Sequence, residues 1–227
     1  MSMNHTQSDD QYTYDGNDYV ESGTDVCPYP GFYNVKPLSV GRAKDKEGNE
    51  RKVDGWPILR INRVQIDLPD GQTSKFAVFQ DVRTKPSQRP APGNTKKWAS
   101  QAADVLRAID VEDAKSQSNF EEVYQTLENR LQSGDSFISY VGLTARDSAY
   151  IKAKMAEAGQ DASQETKNKI FNEATLTTKD FRNPDGTYRF VATGPSGATL
   201  SARPTLSRFV SSDKRDEVEL GPQQVNG

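Results

Sequence analysis

Residues 56 to 83 constrain the fold more than any other stretch of the chain. In the segment 56 to 67, Leu59 and Ile61 fall on one phase of a two-residue alternation. Val64 and Ile66 fall on the other, so the phase slips at Asn62-Arg63. Such a slip is the mark of a β-bulge, which bends a strand and helps a sheet curl toward a barrel. Pro69-Asp70-Gly71 supplies a tight connection. Residues 75 to 83 then return, with Phe76, Val78 and Val82 alternating against Ala77, Phe79 and Asp81.

The remaining elements are placed around this hairpin. Gly31 to Ala43, with Val35, Leu38 and Val40, reads as a first strand, and residues 44 to 55 as a charged loop. Residues 84 to 97 read as a second loop, rich in proline and bases. A helix is expected from Trp98 to about Ile109, and another over residues 119 to 133. In the second, Ser118 and Glu121 have capping-box spacing and Gly134 fits the stop. A strand at 137 to 143, a helix at 147 to 158 ended by Gly159, and a polar loop at 160 to 169 follow. Three extended segments, 170 to 181, 187 to 193 and 198 to 210, are joined by turns at Asn183-Pro184-Asp185-Gly186 and Gly194-Pro195-Ser196-Gly197. Phe76, Val78, Leu106, Leu127, Leu131 and Val141 are assigned to the core, since burial alone explains their spacing.

Read together, these elements give a mainly β chain with inserted helices, of α+β class. The expected form is a curled antiparallel barrel of OB type, and an open sheet with helices on one face fits nearly as well. The expected organisation is an acidic disordered arm at 1 to 27 and a single domain at 28 to 210, its helical insertion at about 98 to 158. A disordered tail at 211 to 227 completes it. No run of about 18 apolar residues crosses a membrane, and the acidic N-terminus does not read as a secretory signal. Cys27 is the sole cysteine, so no internal disulfide forms and a reducing compartment is favoured.

Charge is unevenly distributed. Residues 1 to 27 carry six acids and no Lys or Arg, whereas residues 28 to 98 carry 14 Lys and Arg against seven Asp and Glu. A basic β-rich segment between acidic ends suits a binder of polyanions whose ends compete with the ligand. Candidate phosphate contacts are Arg42, Lys44, Lys46, Arg51 and Lys52 around the first loop, and Arg60 and Arg63 on the second strand. Lys85, Arg89, Lys96 and Lys97 on the proline-rich loop join them. With the first three strands as neighbours, both loops flank one sheet face. Trp56, Phe79, Tyr140 and Tyr188 then supply stacking platforms for bases, as Phe190 does. For any single residue, an ordinary solvated cation or a core aromatic is the more frequent reading.

Enzyme signatures are sparse. The only histidine, His5, lies in the N-terminal arm, so no Ser/His/Asp or Cys/His set assembles on a rigid scaffold, and no metal-ligand spacing occurs. The Gly194 to Gly197 turn lacks the Lys and Ser/Thr of a phosphate loop and reads as a hairpin turn. No catalytic residue, metal or cofactor is therefore expected.

The strand order, the bulged second strand, the basic loops and the acidic ends together resemble the OB-fold single-stranded DNA-binding proteins of bacteriophages. The resemblance covers roughly residues 31 to 210 and rests on layout. It implies a non-catalytic replication or recombination protein acting on single-stranded DNA in the host cytoplasm, with replication proteins or a second copy held through the acidic ends. In that family the C-terminal tail is often strongly acidic with a final aromatic. Here Asp213, Asp216, Glu217 and Glu219 are followed by Gln224-Val225-Asn226-Gly227. The alternative is a phage virion or assembly protein whose polar arms order on neighbouring subunits.

Overall fold

The computed structural model describes residues 27–45, 47–91, 95–111 and 120–222, with the backbone alone for 87–91, 95–99 and 120. These residues form two compact units, one made of 27–142 with 204–222 and the other of 143–203. The arm at 1 to 26, with its Tyr residues and His5, lies outside the described residues. So do Lys46 and the Ser118 cap.

In the first unit, strands β1 (Gly31–Arg42), β2 (Lys52–Val53), β3 (Trp56–Asp67) and β4 (Thr73–Arg83) are followed by a ribbon, β5 (Ser87–Ala91) and β6 (Thr95–Ala99). Helices α1 (Gln101–Ala108) and α2 (Phe120–Gln132) lead into β7 (Phe137–Arg146), whose last residues belong to the second unit. The second unit continues with α3 (Ser148–Ala158), α4 (Gln164–Glu173), β8 (Thr175–Thr177), β9 (Val191–Thr193) and β10 (Thr199–Ser201). Strand β11 (Arg203–Ser207) returns to the first unit, and β12 (Gly221–Pro222) ends the described chain.

The main sheet runs β11-β7-β1-β3, with β4 on the far edge of β3. The β7–β1, β1–β3 and β3–β4 pairs are antiparallel. Three expected neighbours therefore are neighbours, and the class is α+β with β structure dominant. The sheet is not closed into a barrel: the path is open from β11 to β4. The expected bulge is present, as the β3–β4 register shifts between Ile61 and Arg63. Its effect is local, because it returns Val64 and Ile66 to the face of Leu59 and Ile61; all four are fully buried.

That face is the core. Tyr33, Val35, Leu59, Ile61, Val64, Ile66, Phe76, Val78 and Val82 cluster with Val105 and Leu106 of α1 and Val123, Tyr124, Leu127 and Leu131 of α2. The two helices thus cover one face of the sheet, as their apolar stripes require. Helix α1 begins later than expected. Trp98 belongs to β6, and the Ser100 hydroxyl caps the helix by accepting from the Ala103 N–H at 3.0 Å.

Three other expectations change. Residues 84 to 97 hold the β5–β6 ribbon. Residues 160 to 181 hold α4, β8 and a short 3₁₀ turn; α4 is capped by Ser163, which accepts from Thr166 N–H at 3.1 Å. The segment after Val210 carries a 3₁₀ turn at Ser212–Glu217, where Arg215 donates to the Ala108 carbonyl at 2.6 Å. Strand β12 then pairs with β1 at Gly31 and Phe32.

Candidate nucleic-acid interface

The face of the sheet opposite α1 and α2 is set by alternation. Across β1, β3 and β4 the register aligns Lys36 with Gln65 and Lys75, then Ser39 with Arg63 and Ala77, then Gly41 with Arg60 and Asp81. Residues at these positions leave the core, and Lys36, Arg63 and Lys75 are exposed. Phe79 lies in the same phase of β4 and is 51% exposed. Its φ of 46° puts a bulky aromatic in the left-handed region, beside the register shift.

Acids temper this face. Asp81 accepts from Arg60 Nε through one oxygen and from Arg51 Nη1 through the other, both at 2.8 Å. Two cations around one carboxylate leave one positive charge. Asp67 accepts from the Asn34 amide at 2.9 Å.

The expected residues divide accordingly. Arg60, Arg63 and Phe79 share the outer face, with Arg51 drawn to it through Asp81. Arg42 does not belong there. It pairs in register with buried Leu59, its guanidinium sits 4.4 Å above the Tyr124 ring, and it bonds Glu50 at 3.0 Å and also Glu121. The Gln125 amide and then Arg42 hold the Glu121 carboxyl below its ordinary value, against partial desolvation. Arg42 is therefore a clasp between the end of β1 and α2, on the helix side of the sheet.

Lys44 is exposed in the turn that joins β1 to β2, where its backbone forms a β-bridge with that of Glu50, and Lys52 is exposed on β2. Lys85 pairs with Asp54, so the two basic loops leave the same end of the sheet and are tied together there. Trp56 is half-buried opposite Val53. Tyr140 is half-buried against Phe32, ring centroids 5.2 Å apart at 72°. Tyr188, whose backbone forms a β-bridge with that of Arg182, lies in the second unit, as does half-buried Phe190. For Arg89, Lys96 and Lys97 the register alone is described.

Sequence reasoning missed Lys36 and Lys75. The signal was there: each alternates with a buried residue, Val35 and Phe76 respectively, in the phase of the outer face.

Other chemistry-bearing groups have structural partners. The half-buried Cys27 thiol is pushed up to about 12 by burial, which keeps it protonated near neutrality. The Gly194 to Gly197 turn joins β9 to β10, and inside it Asp147 Oδ2 accepts from Ser196 N–H at 2.9 Å and Ser196 Oγ at 2.7 Å. A carboxylate already fills the place an anion would take. Among the described residues no three His, Cys, Asp or Glu groups gather as metal ligands, and no helix is long and apolar enough to cross a membrane.

The fold and this face define an α+β protein with an open, helix-backed sheet whose outer side is cationic and carries an exposed aromatic. The chain matches no protein-family profile, no curated protein and no solved structure.

Proposed function

We propose that this protein is a non-catalytic binder of single-stranded DNA that works on nucleic acid in the host cytoplasm. Its site is the outer face of β1, β3 and β4. The observation that carries the reading is Phe79, an exposed aromatic held at positive φ among Arg60, Arg63, Lys36 and Lys75 on the same face. Backbone strain persists only where surrounding structure enforces it, and it concentrates at binding sites. Cations give affinity to phosphates, and an aromatic gives a base a stacking surface without regard to sequence. The OB-type resemblance is one of layout, and the sheet here is open.

The test is fluorescence anisotropy of a labelled mixed-sequence oligonucleotide, single-stranded and duplex, across a salt series. Tight, salt-sensitive binding that prefers the single strand is expected. Phe79→Ala weakens it roughly 5- to 150-fold, the loss of about 1–3 kcal/mol of stacking. Arg63→Gln lowers the salt slope by about 0.7. Absence of binding at low salt overturns the reading and favours the assembly alternative. In that case Leu38, 43% exposed, and Phe79 mark a protein contact, and sedimentation should show concentration-dependent oligomers.

A further inference from the structure

Asp81 is an acid on a cationic face, and its two partners come from opposite flanks of β3. Arg60 stands directly across from it in the β3–β4 register. Arg51 starts from the other flank. Its N–H donates to the Ala43 carbonyl at 2.8 Å, just beyond β1, and Ala43 N–H donates to the Ile58 carbonyl at 2.9 Å. With Lys52 paired to Pro57, these bonds fix the Arg51 backbone on the β1 side of β3. To reach Asp81 on β4, the Arg51 side chain therefore crosses β3 on the outer face.

The way the carboxylate is shared decides what the arginines can still do. An arginine and a carboxylate commonly pair through two parallel hydrogen bonds, which use up one edge of the guanidinium. Here Arg60 gives only Nε and Arg51 only Nη1, each at 2.8 Å. A guanidinium has five N–H donors, so four remain on each arginine, and no other acceptor among the described residues takes them. All three side chains are half-buried, so their free edges are open to a ligand above the sheet. Two long side chains held in place lose their freedom before a ligand arrives, and a pre-ordered donor set binds more tightly than a mobile one. Phe79 lies two residues before Asp81 on β4, within about 7 Å along the backbone. A base stacked there is next to a phosphate held by the two arginines.

We infer that Asp81 is a positioning residue: it locks Arg51 and Arg60 into a seat for one phosphate of the strand whose base lies on Phe79, so that an acid strengthens the binding of a polyanion. This rests on the proposed function and adds to it the group that orders the cations.

The experiment measures anisotropy of a labelled oligothymidylate against the full chain, Phe79→Ala, Asp67→Asn, Asp81→Asn, the pair Arg51→Gln/Arg60→Gln, and that pair combined with Asp81→Asn. Asp67 is the control, an acid of the same face that accepts from the neutral Asn34 amide. Each Asn variant removes one negative charge. Asp67→Asn should therefore bind slightly more tightly at low salt, whereas Asp81→Asn should bind roughly 3- to 10-fold more weakly. In the Arg51→Gln/Arg60→Gln background the carboxylate has no cation to hold, and Asp81→Asn should there leave affinity unchanged or raise it. A loss that persists in that background is structural and overturns the inference. So does unchanged or tighter binding by Asp81→Asn in the otherwise wild-type chain. Beside a weakened Phe79→Ala, either result leaves the sheet-face reading standing. No binding by the wild-type chain overturns both.

Discussion

Phe79 and Asp147 show how single residues set stability and function against each other. An L-residue at positive φ costs about 1 kcal/mol or more relative to glycine, and Phe79 carries that cost with half its surface in water. Comparing Phe79→Gly with Phe79→Ala isolates the backbone from the ring. The glycine variant should be more stable by about 1 kcal/mol in urea unfolding, while both bind single strands weakly; equal stability would mean that no strain is stored there. Asp147 is fully buried and caps α3, accepting from Tyr150 N–H at 2.9 Å as well as from Ser196. Desolvation works to raise its carboxyl, yet the bonds from Tyr150, Ser196 and Ala149 hold it below its ordinary value. Its contribution is therefore present above the unfolded value, near 3.9, and is lost as pH falls through the folded one. Asp147→Ala should cost about 2 kcal/mol, through the lost cap and the stranded Ser196 donors. Asp147→Asn should flatten the acid limb of the stability profile, and an unchanged limb would assign the acid sensitivity elsewhere.

At the level of elements, the strands that build the core were the legible ones. β1, β3, β4 and α2 each bury one apolar stripe, and burial imposes a period that can be read from Val35, Leu59, Phe76 or Leu127. The bulge was legible as a phase slip, but whether it closes a barrel was not. Closure depends on which strands meet at the edges, and α1 and α2 instead cover the face the curl was expected to enclose. Helix α4 escaped notice because only Ile170 of its ten residues is buried, leaving no period to detect. The β5–β6 ribbon escaped because its strands pair with each other and its prolines mimic a loop. The outer face was legible in part. Arg60, Arg63 and Phe79 lie on the outer face, whereas Arg42 lies on the helix side; charge alone does not reveal which side of the bulged β1–β3 pair a residue occupies. Strand β12 was missed because its attachment depends on a neighbour without a side chain. A Cβ on Gly31 would lie 2.0 Å from the Gly221 carbonyl oxygen. Gly31→Ala should therefore release β12 from β1, seen as faster amide exchange at Phe32 and Gly221 with Ile61 still protected. Unchanged exchange at the β1–β12 pair would show that the backbone absorbs the extra methyl.

Over the whole molecule, charge decides more than shape. The chain carries a net −3, yet residues 1 to 27 contribute six of its acids, so the rest of the chain is +3. This acidic segment ends at Cys27, four residues before β1, one of the strands that present the cationic face. A polyanion joined covalently to the protein it competes on acts at a high effective concentration. At low salt it should compete with a nucleic-acid strand for Arg63, Lys75 and the neighbouring cations. Because such competition is electrostatic, it weakens once the Debye length falls toward 3 Å near 1 M salt. Deleting residues 1–27 should therefore raise affinity for a single-stranded oligonucleotide severalfold at low ionic strength, and the truncated and full chains should converge as salt rises. A constant ratio at all salt concentrations would instead point to steric obstruction. Equal affinity throughout would assign the segment to another partner, such as a replication protein or a second copy of the chain.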